Sequence, residues 1–133
     1  MKMVGDQKTE ITYNSALIID DEELELFLGK KTLMENNVTE RVYTETSVRS
    51  ALHFLRNTSE LPELIFIDEK MREFVNNLAH FPFHTTRKCK VFVLSYNNVS
   101  ISKIVKETEA QHLYLKYIPK PINIDFLFEE NNS

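Results

Sequence analysis

Four apolar runs in this sequence end in, or lead to, a side chain that can do chemistry. "ALII" runs into Asp20 and Asp21, "LIFI" into Asp68, and "VFVL" into Ser95, while "LYLKYI" is followed closely by Lys120 and Pro121. Three carboxylates held close together cannot all stay ionised without a cation. Oxygen donors with room for water suit Mg²⁺, which keeps several waters and takes few protein carboxylates. Asp68 would then serve as a nucleophile forming an aspartyl phosphate. The metal and Lys120 would neutralise charge on the transferred group, and the Ser95 hydroxyl would donate a hydrogen bond to a phosphoryl oxygen. Alone, each residue has a plainer reading. Asp20 to Glu23 can be the acidic start of a helix, Asp68 a strand-end turn residue, Ser95 a structural hydroxyl and Lys120 a solvated lysine. The sharper reading needs them brought together.

The rest of the chain supplies elements able to do so. Apolar runs rich in β-branched and aromatic residues read as buried strands: "ALIID", "VTERVYTE", "ELIFID", "KVFVLS" and "LYLKYI". Helical spacing lies between them. Val48, Ala51, Leu52 and Leu55 follow the i, i+3, i+4, i+7 pattern, as do Met71, Phe74, Val75 and Leu78, and Ile101, Ile104, Val105 and Thr108. The helix after Asp21 is expected to carry Leu24, Phe27 and Leu28 towards the core. A short last helix, Asn123 to about Glu130, places Ile124, Leu127 and Phe128 on one side. Strands alternating with helices predict an α/β fold, a doubly wound five-stranded parallel sheet covered on both faces. "VTERVYTE" carries Glu40, Arg41 and Glu45 and belongs at an edge; "LYLKYI" suits the other edge. In such a sheet, chemistry gathers at the carboxyl ends of the strands, where Asp20, Asp21, Asp68, Ser95 and Lys120 would meet.

The totals bound the answer. The chain has 133 residues, 42% apolar, which fits one domain. Residues 1–13 are polar and aperiodic and are expected to be flexible, with the domain spanning 14–133. A formal net charge of -4 with no basic cluster argues against nucleic acid. A lone Cys89 fits a reducing compartment and, just before the fourth strand, a small buried or half-buried residue. No apolar segment is long enough for a membrane span, and the N-terminus lacks a signal-peptide centre, so a cytoplasmic domain without membrane contact is expected. Only Gly5 and Gly29 occur, which excludes glycine-rich phosphate loops. His53, His80, His84 and His112 show no zinc spacing; Pro82 interrupts the i, i+4 pair of His80 and His84. The least regular stretch, 79–90, reads as an ordered loop.

Taken in order, "IIDDEE", "LIFIDEKM", "VFVLS" and "YIPKP" resemble the receiver domain of two-component response regulators, over about Ser15 to Phe128. The resemblance implies the flavodoxin-like receiver fold with strand order 2-1-3-4-5. It implies Asp68 as phosphoacceptor, and Asp20, Asp21, Asp68 and the backbone carbonyl of Lys70 as the Mg²⁺ site. Asp21 would be the direct ligand and Asp20 would act through water. Ser95 becomes the switch hydroxyl, Lys120 the phosphoryl-binding lysine with a cis bond to Pro121, and Tyr117 the switch aromatic. The partners implied are a histidine kinase or phosphotransfer protein and a downstream protein, reached by a shift in the surface of the fourth helix and fifth strand. Such a domain is a phosphoacceptor that signals, not an enzyme. With a short last helix it is expected to be a monomer, and with no effector domain following, its output is a contact with another protein.

The sequence also departs from the family. Arg72 follows Met71 where a proline is usual, and no glycine comes after. The residue after the switch hydroxyl is usually small; here it is Tyr96, which would control access to the site. Lys70 adds a cation near the acids. These departures support an alternative, an atypical receiver-fold binding module with slow or lost phosphorylation. A third reading, a flavodoxin-like or phosphohydrolase enzyme, is weaker. Acids stand where a flavin phosphate loop would need Ser, Thr or Gly, and Lys70 stands where a haloacid-dehalogenase type would need a second aspartate.

Overall fold

A computed structural model describes residues 10–78, 89–96 and 114–127. The expected helix over 101–108, Leu78's side chain, most of the 79–90 loop, residues 1–9 and the end of the last helix with Phe128 lie outside that description. The elements run β1 (Tyr13–Ile19), α1 (Glu23–Glu35), β2 (Thr39–Glu45), α2 (Val48–Asn57), β3 (Leu64–Asp68), a 3₁₀ turn (Glu69–Met71), α3 (Glu73–Leu78), β4 (Lys90–Ser95), β5 (Tyr114–Pro119) and the short α4 (Ile124–Leu127). All strand pairs are parallel, and the sheet order is β2-β1-β3-β4-β5. The family's 2-1-3-4-5 order and both edge assignments hold.

Alternation along the strands splits the core into two layers. Leu17, Ile19, Ile65, Ile67, Val91, Val93 and Tyr117 face one side and pack with Ala51 and Leu55 of α2 and Phe74 and Val75 of α3. Ala16, Ile18, Leu64, Phe66, Phe92, Leu94 and Ile118 face the other and pack with Leu26 and Leu33 of α1 and Leu127 of α4. Both faces of β1, β3 and β4 are therefore apolar, which is why those strands read as continuous runs. Each fully buried Leu, Ile or Phe adds about 1.5–3 kcal/mol. β2 is two-sided: Val42 is buried, while Arg41 pairs with Glu60 at 2.6 Å.

Two helical expectations need correction. On α1, Leu24 and Phe27 are 66% and 62% exposed and Leu28 also points outward. The buried line is Leu26, Gly29 and Leu33. The helix is apolar around much of its circumference, so periodicity alone does not select the inner face. Gly29 decides it. A Cβ there would stand 3.0 Å from the methyl ends of Ile18 and Ile122, so the missing side chain lets α1 lie close on the sheet. Met71 does not join the third helix but closes the 3₁₀ turn that precedes it, and α3 buries Phe74 and Val75. On α2 the expected face holds, with Ala51 and Leu55 buried and Val48 and Leu52 packed against them. Ser47 starts that helix by accepting a hydrogen bond from the Ser50 amide at 3.1 Å.

Candidate functional site

The site lies at the carboxyl edge of β1 and β3, where the sheet order reverses. Asp20 follows β1 and is 1% exposed. Its Oδ1 accepts a hydrogen bond from the Glu22 amide at 2.9 Å, a local turn that starts α1. Asp21 points outward, with its side chain 52% exposed, and Glu22 and Glu23 are exposed on the first turn. Asp68 ends β3 and is buried; its Oδ2 accepts from the Lys70 amide at 2.9 Å, which caps the 3₁₀ turn.

Lys120 reaches in from the loop after β5. Its Nζ donates a short hydrogen bond to Asp68 Oδ1 and lies 2.9 Å from Asp20 Oδ2. The contact with Asp20 is an ion pair without hydrogen-bond alignment, so Asp20 Oδ2 is a buried oxygen with unused lone pairs. The Lys120 peptide bond to Pro121 is cis, as the resemblance implies, and the Lys120 amide donates to the Ser95 carbonyl at 3.0 Å. That hydrogen bond holds the lysine's backbone against the end of β4 while its side chain spans to Asp20 after β1 and Asp68 of β3.

Burial alone would push the Asp68 carboxyl up. The Lys120 hydrogen bond, the Lys70 amide and the two nearby ammoniums outweigh it and hold the carboxyl below its ordinary range. Burial would likewise lower Lys120, but its contacts with Asp20 and Asp68 raise it well above the ordinary lysine value. Asp68 is thus a buried carboxylate that is ionised at neutral pH. The Lys70 ammonium lies 3.4 Å from Asp21 Oδ1 and 3.6 Å from Asp68 Oδ2, and attraction to Asp68 and Asp21 raises its pKa.

The structure therefore brings together Asp20, Asp21, Asp68, Lys70 and Lys120. Ser95 is buried at the same sheet edge, where it pairs with Pro119. Tyr117 lies two residues back along β5, its ring turned into the core beside Val93. Tyr96 is 69% exposed and stretches over the site: its ring centre stands 5.1 Å from the Lys120 ammonium, and its hydroxyl donates to Glu25 Oε2 at 2.6 Å. Glu25 was not among the residues singled out from sequence. It sits in the first turn of α1, 71 positions from Tyr96, and no local pattern links the two.

Among the described residues, no group of three His, Cys, Asp or Glu side chains is arranged to hold a metal ion. The donor chemistry nevertheless fits a hard divalent cation. Asp20 offers a buried oxygen without a hydrogen bond, Asp21 an accessible carboxylate and Asp68 an ionised one. The cationic place between Asp21 and Asp68 is filled by Lys70.

No protein-family model matches this sequence, and no curated protein does. Solved structures do. A response regulator receiver protein from Dyadobacter fermentans is 25% identical, covering 85% of this chain and 91% of its own, with a TM-score of 0.70. A two-component response regulator from Cytophaga hutchinsonii, 22% identical, covers 91% of this chain and 96% of its own at TM-score 0.72. A chemotaxis response regulator of Vibrio cholerae, 18% identical, covers 91% and 98% at TM-score 0.69. These structural neighbours are receiver domains and account for most of the chain.

Proposed function

We propose that this chain, which has the receiver fold of response regulators, accepts a phosphoryl group on Asp68 and signals through a changed protein-contact surface. The observation that carries the reading is the buried, ionised Asp68 held by Lys120 beside Asp20 at the switch point of the sheet. An Asp68 carboxylate oxygen attacks the phosphorus of a phosphohistidine on a histidine kinase or phosphotransfer protein. The new O–P bond forms, the P–N bond breaks with its electron pair going to nitrogen, and the donor ring, protonated on its other nitrogen, leaves as neutral imidazole. The depressed Asp68 pKa means that no general base is needed. Lys120, already on Asp68 Oδ1, neutralises charge on the arriving group, and Ser95 donates its hydroxyl to it. Asp20, Asp21, Asp68 and the Lys70 carbonyl would hold Mg²⁺, which supplies further positive charge at the phosphoryl oxygens. Tyr117 is the aromatic side chain that follows the Ser95 hydroxyl and carries the change to the surface around β5. In this reading the domain works as a monomer in the cytoplasm, without nucleic acid, and is not itself an enzyme.

Amide NMR with Mg²⁺ and beryllofluoride tests this reading. Shifts are expected around Asp68, Ser95 and Lys120, and they vanish in Asp68→Asn. A second reading, a receiver-fold binding module in which phosphorylation is slow or lost, is favoured by the Tyr96–Glu25 bond over the site. The absence of any NMR response at millimolar Mg²⁺ supports it and rejects the first.

A further inference from the structure

We infer that the Lys70 ammonium is a built-in counter-cation standing where a divalent ion must bind, so that metal loading is an exchange in which this side chain leaves. The inference rests on the phosphotransfer reading for the identity of the ion as Mg²⁺. Its own basis is geometric. The Lys70 Nζ bridges Asp21 Oδ1 at 3.4 Å and Asp68 Oδ2 at 3.6 Å. Asp21 Oδ1 and Asp68 Oδ2 are oxygens of the cluster that Lys120 does not contact. The backbone of Lys70 is pinned, because its amide donates to that same Asp68 Oδ2 at 2.9 Å. The side chain is not pinned: it is 56% exposed and has open solvent to move into.

Charge sets the two cations in competition. Three carboxylates face two ammoniums, leaving one net negative charge. A divalent ion added beside both ammoniums would leave an excess positive charge, with Lys70 a few ångströms from the ion. Exchanging Lys70 for the ion brings the group to neutrality. Lys120 cannot be the one to leave, since its side chain is 2% exposed and bound on both sides. The swing of Lys70 does not take its carbonyl away, because that group belongs to the pinned 3₁₀ turn. The metal-free domain is thereby kept close to charge balance, and its Mg²⁺ affinity is set by a competitor within the chain.

The test is a Mg²⁺ titration of the metal-free protein followed by amide NMR, on the wild type, Lys70→Met and Lys70→Arg. Two partly exposed ion pairs are lost in Lys70→Met, so its Mg²⁺ affinity should be on the order of 3- to 10-fold tighter. Lys70→Arg keeps the competing charge and should stay near the wild type. Thermal unfolding is a second readout: in EDTA, Lys70→Met should melt below the wild type, and saturating Mg²⁺ should raise it by more. Equal or weaker Mg²⁺ affinity in Lys70→Met overturns the inference, and a wild-type beryllofluoride response alongside it leaves the phosphotransfer reading standing. No Mg²⁺ shift in any of the three proteins, together with no beryllofluoride response, overturns both.

Discussion

Replacing Lys120 by methionine removes one ammonium from between two buried carboxylates while keeping a side chain of similar length. The side chains of Lys120 and Asp20 are each 2% exposed and that of Asp68 is 5% exposed, so water cannot take over the solvation. Removing one partner of a buried ion pair costs about 3–5 kcal/mol. Asp20 keeps its hydrogen bond from the Glu22 amide, and Asp68 keeps the Lys70 amide and ammonium. These set the expectation at the low end, about 3 kcal/mol, equivalent to a fall in Tm of roughly 10–15 °C for a domain of this size. Urea unfolding in EDTA at neutral pH measures it, on Lys120→Met, Asp68→Asn and the double variant. Once Asp68 is neutral, the lysine has one carboxylate fewer to compensate. The double variant should therefore be more stable than additivity predicts by about 1 kcal/mol or more. A loss below about 1 kcal/mol in Lys120→Met, or additive effects in the cycle, would refute the claim that this lysine neutralises both acids.

Acid titration should separate wild type from Asp68→Asn. The Asp68 carboxyl is depressed in the folded state, so its contribution is present above the ordinary aspartate value and is lost as pH falls through the lower folded one; urea midpoints should fall more steeply with acid in wild type, and parallel curves would reject the shift. Tyr96→Phe removes the hydroxyl bonded to Glu25 and Tyr96→Ala removes the ring over Lys120 as well. If Tyr96 restricts access, phosphorylation or dephosphorylation should be faster in Tyr96→Ala than in wild type, with Tyr96→Phe between them; unchanged rates remove that role. On α1, Phe27→Ser should change stability by less than about 0.5 kcal/mol, whereas Leu33→Ala should cost about 2–5 kcal/mol. Urea unfolding giving the reverse order would restore the face first expected from the spacing.

The parts legible in the sequence are those whose physics is local. β1, β3 and β4 are apolar on both faces and announce themselves as runs, and each acid or hydroxyl at a run's end marks where a strand reaches the sheet edge. The strand order was not legible from pattern; it came with the family resemblance. The inner face of α1 was misread because Leu24, Phe27 and Leu28 match the helical period as well as Leu26, Gly29 and Leu33 do. What separates the two lines is the close approach to Ile18 and Ile122, a tertiary fact. At the site, the candidates were visible as types and positions, and Lys70 was visible as a cation near acids. Its bridge between Asp21 and Asp68, and the bond from Tyr96 to Glu25, depend on how separate elements meet.

The central claim is that Asp68 accepts a phosphoryl group. Intact-mass spectrometry after incubation with acetyl phosphate and Mg²⁺ tests it most directly. The account predicts a single acid-type phosphoryl adduct in wild type, absent without Mg²⁺ and absent in Asp68→Asn. An adduct that persists in Asp68→Asn, or none in wild type, Tyr96→Ala and Lys70→Met alike, would contradict it.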